Sequence, residues 1–165
     1  MLTEGKLLTP EQAAKRAEQH RREERRLVTV NGSFDLLHAG HIAQLEEARS
    51  QGDFLFVGLN SDASVSAYKG AARPIIPEHD RARVVAALAC VSYIVLINER
   101  EAGGAIIELI RPHVHANGSE YGPPEQWVEY PVMLRYGVQG YACSRRPGLS
   151  TTDVIQKIQR TGENT

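Results

Sequence analysis

Short apolar runs alternate with helix-like segments along most of this 165-residue chain. The runs typical of strands cover residues 27–31, 54–60, 91–97, 114–117 and 138–143. The segments typical of helices cover residues 42–50, 81–89, 104–110, 126–136 and 152–160. This alternation predicts an α/β fold in which helices cover both faces of a parallel sheet of about five strands.

The predicted fold class is a Rossmann-like, doubly wound sheet in a single domain, since a chain of this length can bury one sizeable core. Sheets of this kind bind ligands beyond the carboxyl ends of their strands. No Gly-x-Gly-x-x-Gly follows the first predicted strand. That absence argues against a nicotinamide or flavin enzyme of the usual Rossmann type.

A further helix is predicted before the first strand. Thr9, Pro10 and Gln12 combine an N-cap, a proline at the first helical position and a capping-box glutamine, which indicates a helix running to about Arg26. We therefore expect an N-terminal helical extension over residues 1–26, followed by the α/β domain over residues 27–165.

Composition excludes several classes of partner. A formal net charge of −1, with 24% charged residues, gives no overall attraction to nucleic acid or to a membrane surface. No apolar run approaches the ~20 residues of a membrane span, and the first residues lack the pattern of a signal peptide. Cys90 and Cys143 lie in apolar settings without Cys-x-x-Cys spacing, which indicates core thiols. We therefore expect a cytoplasmic protein that binds neither nucleic acid nor membrane.

The strongest functional signal follows the first predicted strand, where residues 34–41 read Phe-Asp-Leu-Leu-His-Ala-Gly-His. The N-terminus of a helix offers unpaired N–H groups and a partial positive charge, which suit a phosphate. Gly40 lets a ligand approach the backbone closely, and His38 and His41 can donate to phosphoryl oxygens. Nothing nearby resembles a nucleophile with its base, so the pattern favours direct stabilisation of a transition state.

Two other interpretations of the histidine pair stay open. Zinc needs three or four ligands, and the remaining histidines show no cluster spacing with this pair; they are His20, His79, His113 and His115. The pair could also be ordinary helix-start residues. Asp35 could equally hold the loop by bonding local N–H groups.

The loops expected after the predicted strands include the histidine motif and residues 60–69, 117–121 and 145–152, and they should converge on one crevice. Two later features fit this crevice. Lys69, beside Gly70, is the only lysine between Lys15 and Lys157, and it could reach a phosphate as a flexible point charge. A solvated loop lysine is the alternative. The hydroxyl side chains of Ser150 to Thr152 could cap the last helix and equally donate to a nucleotide phosphate.

These motifs resemble the nucleotidyltransferase superfamily that includes the cytidylyltransferases, pantetheine-phosphate adenylyltransferase and the adenylyltransferase domain of ADP-heptose synthase. The histidine motif from Asn31 to Ile42 carries the superfamily resemblance. Further matches follow the ADP-heptose synthase pattern in order, at residues 52–53, 57–65, 69–70, 73–75, 80–81 and 150–152. The resemblance implies that residues 27–165 form a nucleotidyltransferase domain.

The resemblance implies attack by an acceptor phosphate on the α-phosphorus of a nucleoside triphosphate, with release of pyrophosphate. His38, His41 and Lys69 are the predicted catalytic residues, with Lys69 and Tyr121 contacting the acceptor. The predicted nucleotide-binding residues are Ser33, Phe34, Asp35, His38, Gly40, His41, Asn117, Arg145, Ser150, Thr151 and Thr152. Mg²⁺ would be held by the triphosphate oxygens rather than by protein ligands. Homodimers are usual among such proteins.

The choice of substrate stays open at this point. The long match favours ATP and a sugar phosphate such as heptose 1-phosphate. The Arg145–Thr152 loop also resembles that of CTP-dependent enzymes acting on small alcohol phosphates or phosphonates. Where heptose enzymes carry Lys-Gly-Gly-Asp-Tyr, this chain has Ala116 to Tyr121 without a lysine. A nucleotide-binding module without turnover is a third possibility.

Overall fold

The computed structural model describes residues 3, 5–98, 104–144 and 150–162. In these residues six strands form one sheet: β1 (Leu7–Leu8), β2 (Leu27–Gly32), β3 (Phe54–Asn60), β4 (Tyr93–Ile97), β5 (Val114–Gly118) and β6 (Gln139–Cys143). Their order is β1-β4-β3-β2-β5-β6, and every neighbouring pair is parallel. The predicted doubly wound parallel fold is confirmed, and all five predicted strands form.

Seven α-helices are described: α1 (Pro10–Arg22), α2 (Ala39–Arg49), α3 (Asp62–Lys69), α4 (Glu78–Ala86), α5 (Ala105–Ile110), α6 (Tyr130–Tyr136) and α7 (Thr151–Gly162). Short 3₁₀ turns at Ser119–Tyr121 and Pro124–Gln126 lie between β5 and α6. None of the helices in the described parts of the chain has the length and apolar character needed to cross a membrane.

Helices bury an apolar face on each side of the sheet. On one side, alternate strand residues such as Val28 and Val57 pack with Leu45 of α2 and Val85 of α4. On the other side, the intervening residues, such as Phe56, pack with α1, α5 and α6. Because helices cover the central strands on both faces, the sequences of these strands are nearly continuous apolar runs.

The order in which strands are added to the sheet reverses between β2 and β5, although all the strands are parallel. The chain adds β3 and β4 on one side of β2 and then returns to place β5 and β6 on the other. Pairing between β2 and β5 consists of two residue pairs, Val28 with Val114 and Thr29 with His115. A doubly wound sheet binds ligands where such neighbouring strands part at their carboxyl ends. The segment after β2, which carries the two histidines, begins at this position.

The N-terminal segment joins the same sheet and core. Leu7 and Leu8 pair with Ile94 and Val95 of β4, a strand too short for sequence periodicity to predict. The predicted capping box of α1 forms, with Gln12 N donating to Thr9 Oγ1 at 3.2 Å and Thr9 N donating to Gln12 Oε1 at 2.9 Å. The helix ends at Arg22 rather than near Arg26. The domain boundary at residue 26 stays a prediction.

Two local predictions were wrong. Residues 60–69 were expected to form a loop, but α3 occupies most of this segment because Ser61 caps it, accepting from Ser64 N at 3.2 Å. The helix expected over residues 126–136 begins only at Tyr130. Pro131 explains this later start, since proline is tolerated in the first turn of a helix and not in its interior.

Candidate active site at the carboxyl end of β2

A tight segment connects β2 to α2. Phe34 and Leu36 have φ values of 46° and 50°, in the left-handed region that bulky side chains rarely adopt. The Phe34 ring folds back over Gly32, where a Cβ atom would lie 3.1 Å from Phe34 Cε2. The residues of this segment are held in an unusual conformation, and two buried charged groups hold them there.

The first of these groups is the Asp35 carboxylate, which is fully buried. It accepts from Ile75 N at 2.9 Å and Ile76 N at 3.0 Å, and the Arg73 guanidinium lies 2.7 Å away. Burial alone raises the pKa of Asp35, but these donors outweigh it and hold that pKa below its ordinary value. The hydrogen bonds match the loop-holding alternative for Asp35, since its carboxylate oxygens are engaged by the 73–76 segment.

The second is the Arg81 guanidinium, which is 1% exposed. It donates to the carbonyl oxygens of Ser33, Asn60 and Ile76, and it pairs with Asp62 Oδ1 at 2.7 Å. One side chain therefore joins the ends of β2 and β3 to the start of α3. A charge buried this deeply requires such complete pairing.

Sequence reasoning placed Arg73 and Arg81 within the resemblance but gave neither a role. The sequence does contain one sign that Arg81 is buried. Arg81 lies four positions before the buried Val85, on the inward side of α4. A cation on the apolar stripe of a helix indicates a buried partner.

His38 and His41 begin α2 as predicted. His38 is the N-cap, and its Nδ1 accepts from Gly40 N at 3.1 Å, while His41 Nδ1 accepts from His38 N at 3.4 Å. The two rings stack with centroids 3.8 Å apart. Because both Nδ1 atoms accept, each neutral imidazole carries its proton on Nε2.

The electrostatics keep these imidazoles neutral. Burial, helped by the nearby His38 and Lys69, lowers the pKa of His41 to about 4. Burial also lowers the pKa of His38. Within the described residues, the buried His38 Nε2 has no hydrogen-bond partner. Two Nε2–H donors at a helix N-terminus are suited to oxygens that gain negative charge.

Lys69 is the last residue of α3 and bridges back to the β2 segment. Its Nζ donates to Ser33 Oγ at 3.0 Å. Burial of the ammonium group, with Arg73 nearby, lowers the pKa of Lys69. The structure therefore brings together Lys69, Ser33 and the segment that leads to the histidines.

The start of α7 also reaches this segment. Thr151 Oγ1 donates to the carbonyl oxygen of Asp35 at 3.0 Å, while Ser150 Oγ accepts from Asp153 N at 3.1 Å as a helix cap. Thr152 is exposed. Arg145, another predicted nucleotide-binding residue, lies outside the described residues. Of the predicted hydroxyl run, Thr151 is the residue that directly contacts the histidine segment in the described part of the chain.

The last two predicted residues lie at the end of β5. Asn117 is buried, and its Oδ1 accepts from Gly118 N at 3.0 Å. Tyr121 follows in a 3₁₀ turn and is 59% exposed. Their assignments to nucleotide and acceptor stay predictions.

Comparison with known proteins assigns this arrangement to a family. The family model described as cytidylyltransferase-like matches residues 29–157, which include both histidines, Lys69 and the start of α7. The chain belongs to the cytidylyltransferase-like family. The superfamily resemblance inferred from the sequence is confirmed.

This cytidylyltransferase-like chain is also similar to several bifunctional HldE proteins. It is 47% identical to the protein from Geotalea uraniireducens over 138 residues, which make up 84% of this chain and 28% of the relative. It is 36% identical to the protein from Helicobacter pylori over 159 residues, or 96% of this chain and 32% of the relative. The chain thus spans about a third or less of these relatives' length.

Solved structures support the fold of the cytidylyltransferase-like chain. A lipopolysaccharide core biosynthesis protein from Thermoplasma volcanium superposes with a TM-score of 0.60 at 24% identity, covering 74% of this chain and 98% of that one. A pantoate-beta-alanine ligase from Francisella tularensis gives a TM-score of 0.65 at 12% identity, covering 94% and 79%. At these identities, the similarity concerns the fold alone.

Proposed function

We propose that this protein transfers the adenylyl group of ATP to heptose 1-phosphate and releases pyrophosphate. The observation that carries the proposal is the pair of neutral imidazoles at the start of α2, both with Nε2–H available as donors. The HldE relatives and the ADP-heptose synthase motifs support ATP and heptose 1-phosphate as substrates.

The chemistry needs little from the protein beyond positioning and charge stabilisation. An acceptor phosphate is already an anion, so its oxygen can attack the α-phosphorus without a general base. The P–O bond to the β-phosphate then breaks, and pyrophosphate leaves with the negative charge. His38 and His41 would donate to phosphoryl oxygens of the transition state, where charge accumulates.

Lys69 would neutralise phosphate charge from the other side of the β2 segment. Its ammonium group is held by Ser33 Oγ, 3.0 Å away, and a ligand phosphate could replace or share that contact. Thr151 and Ser150, at the N-terminus of α7, would donate to the nucleotide phosphates. The same proposal includes the nucleotide-binding assignments of Ser33, Phe34, Asp35, Gly40, Asn117, Arg145 and Thr152, and the acceptor contact of Tyr121.

Mg²⁺ would accompany the nucleotide, held by its phosphate oxygens, and would supply charge neutralisation. The structure suits this arrangement because the nearest buried carboxylate, Asp35, is engaged by Arg73 and two backbone N–H groups. Among the described residues, no group of three or more His, Cys, Asp or Glu side chains could hold a metal ion. A homodimer stays a prediction from the resemblance.

The test is release of pyrophosphate by the purified protein, with Mg²⁺ and either ATP or CTP, in the presence of heptose 1-phosphate or glycerol 3-phosphate. We expect turnover with ATP and heptose 1-phosphate, and at least tenfold less with CTP because a base with the wrong hydrogen-bonding edge leaves pocket groups unpaired. Preference for CTP with glycerol 3-phosphate would identify a cytidylyltransferase instead. Tight ATP binding without turnover on either acceptor would indicate a binding module.

A further inference from the structure

Five polar side chains meet on the face of the sheet opposite α2, beside the crevice between β2 and β5. They belong to Asn31, Asn60, Tyr68, Tyr121 and Glu129, and we refer to them as the polar cluster. Apart from Tyr121, none of them was singled out from the sequence as a substrate contact. They come from four separate stretches of the chain that the fold brings together.

Strand alternation places the two asparagines on the same face. Asn31 pairs in register with Gly58, and Asn60 lies two residues further along β3, so both point away from the Val28 and Val57 side of the sheet. Asn31 and Asn60 are also at the carboxyl ends of their strands, where ligands bind in this fold.

Hydrogen bonds connect the cluster in two pairs. Asn31 Nδ2 donates to Glu129 Oε1 at 3.2 Å, and Asn60 Nδ2 donates to the Tyr68 hydroxyl at 3.1 Å. Glu129 is 4% exposed and Asn60 is 8% exposed. Asn60 Oδ1 is buried, and it has no hydrogen-bond partner among the described residues. A buried amide oxygen without a hydrogen-bond donor lowers the stability of the folded protein, and a ligand that donates to it would remove this penalty.

Tyr121 lies near one member of each pair, Tyr68 and Glu129. Burial of its hydroxyl, together with the nearby Glu120, Tyr68 and Glu129, raises the pKa of Tyr121. Tyr121 and Tyr68 are 59% and 54% exposed, whereas Asn60 and Glu129 are buried. Aromatic side chains with neighbouring amide and carboxylate groups suit a sugar, which carries many hydroxyl groups.

A cation adjoins the cluster. Lys69 Nζ lies 5.6 Å from the centroid of the Tyr68 ring and donates to Ser33 Oγ, at the start of the histidine segment. A ligand that placed its phosphate at Lys69 could therefore extend its remaining atoms over Tyr68 towards Asn60 and Glu129. That direction leads away from α2, where the nucleotide phosphates are proposed to bind.

We infer that the polar cluster is the specificity pocket for the sugar of the acceptor, with Glu129, Asn31 and Asn60 bonding its hydroxyl groups and Lys69 holding its phosphate. This inference rests on the proposed function and adds residues that select a polyhydroxylated acceptor over a short alkyl phosphate. Glu129 would accept from sugar hydroxyls, and Asn60 Oδ1 would gain its missing donor.

The test is initial-rate kinetics with ATP and heptose 1-phosphate on the native protein, Glu129→Gln and Tyr68→Phe. For Glu129→Gln we expect the KM for heptose 1-phosphate to rise by about 10-fold or more, because a charged acceptor is lost from a buried site. For Tyr68→Phe we expect a rise of about 3-fold, because the Asn60 amide loses the hydroxyl that accepts from its Nδ2. In both variants the KM for ATP and kcat should change less than about 2-fold, if these groups contact only the acceptor.

Glu125→Gln is the matched control for the charge, since Glu125 is exposed in the turn before α6. It should leave both KM values unchanged. If Glu129→Gln fails to fold, Tyr68→Phe decides alone because Tyr68 is 54% exposed and the substitution removes only the hydroxyl that accepts from Asn60 Nδ2. Unchanged acceptor KM in the variants that fold, or an equal rise for ATP, would overturn the inference while leaving the proposed function intact. Absence of turnover by the native protein would instead refute the proposed function.

Discussion

On one face of the sheet at the carboxyl end of β2, His38 and His41 begin α2 with stacked rings. On the other face, Asn31 contacts Glu129 and Asn60 contacts Tyr68. The histidine side presents imidazole hydrogen-bond donors, whereas the opposite side presents amides, hydroxyls and a carboxylate. This difference supports our proposal that phosphoryl groups bind on one face and the sugar hydroxyl groups on the other.

A shared framework supports both faces. Arg81 binds the carbonyl oxygens of Ser33 and Asn60, and therefore fixes the histidine segment and the polar cluster relative to each other. Asp35 fixes the 73–76 segment in the same way. A change on one face should alter one kinetic parameter, whereas a change in the framework should affect the whole fold.

The largest expected effect on activity comes from the histidine side. His41→Ala and His38→Ala should each lower kcat by about 10²–10³, because each removes a donor to developing charge, while the KM for ATP changes much less. Steady-state pyrophosphate release measures this. The exposed His79→Ala is the matched control and should behave as the native protein. Near-native kcat in both histidine variants would remove the basis for the proposed mechanism.

Loss of a framework residue should lower the free energy of unfolding. Arg81→Met is expected to lower the free energy of unfolding by about 3 kcal/mol, since it leaves Asp62 and three carbonyl oxygens without their buried donor. Urea denaturation measures the change. Arg16→Met, at an exposed position on α1, serves as the control. A loss below about 1 kcal/mol for Arg81→Met would show that the two faces do not depend on this residue.

Lys69 lies between the two faces, so its removal should affect both substrates. Lys69→Ala is expected to lower kcat/KM by about 10-fold, and Lys69→Arg should restore it only partly because a planar guanidinium cannot replace a compact ammonium group. Initial rates with each substrate varied in turn test this, with Lys157→Ala on α7 as the control. A native value of kcat/KM in Lys69→Ala would instead support the alternative that Lys69 is a solvated lysine without a role in the reaction.

The smallest effect near neutral pH concerns His115, which is fully buried with its Nδ1 2.8 Å from Thr29 Oγ1. Burial lowers the pKa of His115 to about 3. The unfolded chain takes up a proton below about pH 6.5 and the folded protein does not, so stability falls as pH drops from about 6.5 towards 3, by up to about 1.4 kcal/mol per pH unit.

His115→Gln should flatten this dependence, although His41 contributes a similar slope down to about pH 4. Urea midpoints measured from pH 7 to pH 4.5 give the comparison. Equal slopes for the variant and the native protein would contradict the neutral, buried state of His115.

The sequence was most informative where a signal is local. The apolar runs predicted five strands, Thr9 and Gln12 predicted the start of α1, and the spacing of His38, Gly40 and His41 indicated a helix N-terminus that suits phosphate. Each of these signals depends on neighbours within a few residues, so no knowledge of the fold is needed to recognise it.

The sequence was least informative where partners are distant along the chain. Asp35 meets residues 73–76, Arg81 meets Ser33, and Asn31 meets Glu129, which is 98 positions away. Only the register of β2 against β3 and the position of the turn before α6 bring these groups together. The helix α3 was missed because its eight residues carry too short an apolar pattern to outweigh the loop signals around them.

The central claim is that one face of the sheet stabilises phosphoryl charge and the other binds the sugar of the acceptor. Full two-substrate kinetics on His41→Ala and Glu129→Gln, measured with ATP and heptose 1-phosphate, test this claim most directly. We predict that His41→Ala lowers kcat and leaves both KM values within about 3-fold, whereas Glu129→Gln raises the KM for heptose 1-phosphate by about 10-fold and leaves kcat near its native value. If both folded variants changed the same parameter to a similar extent, the two faces would not have separate roles and this account would be wrong.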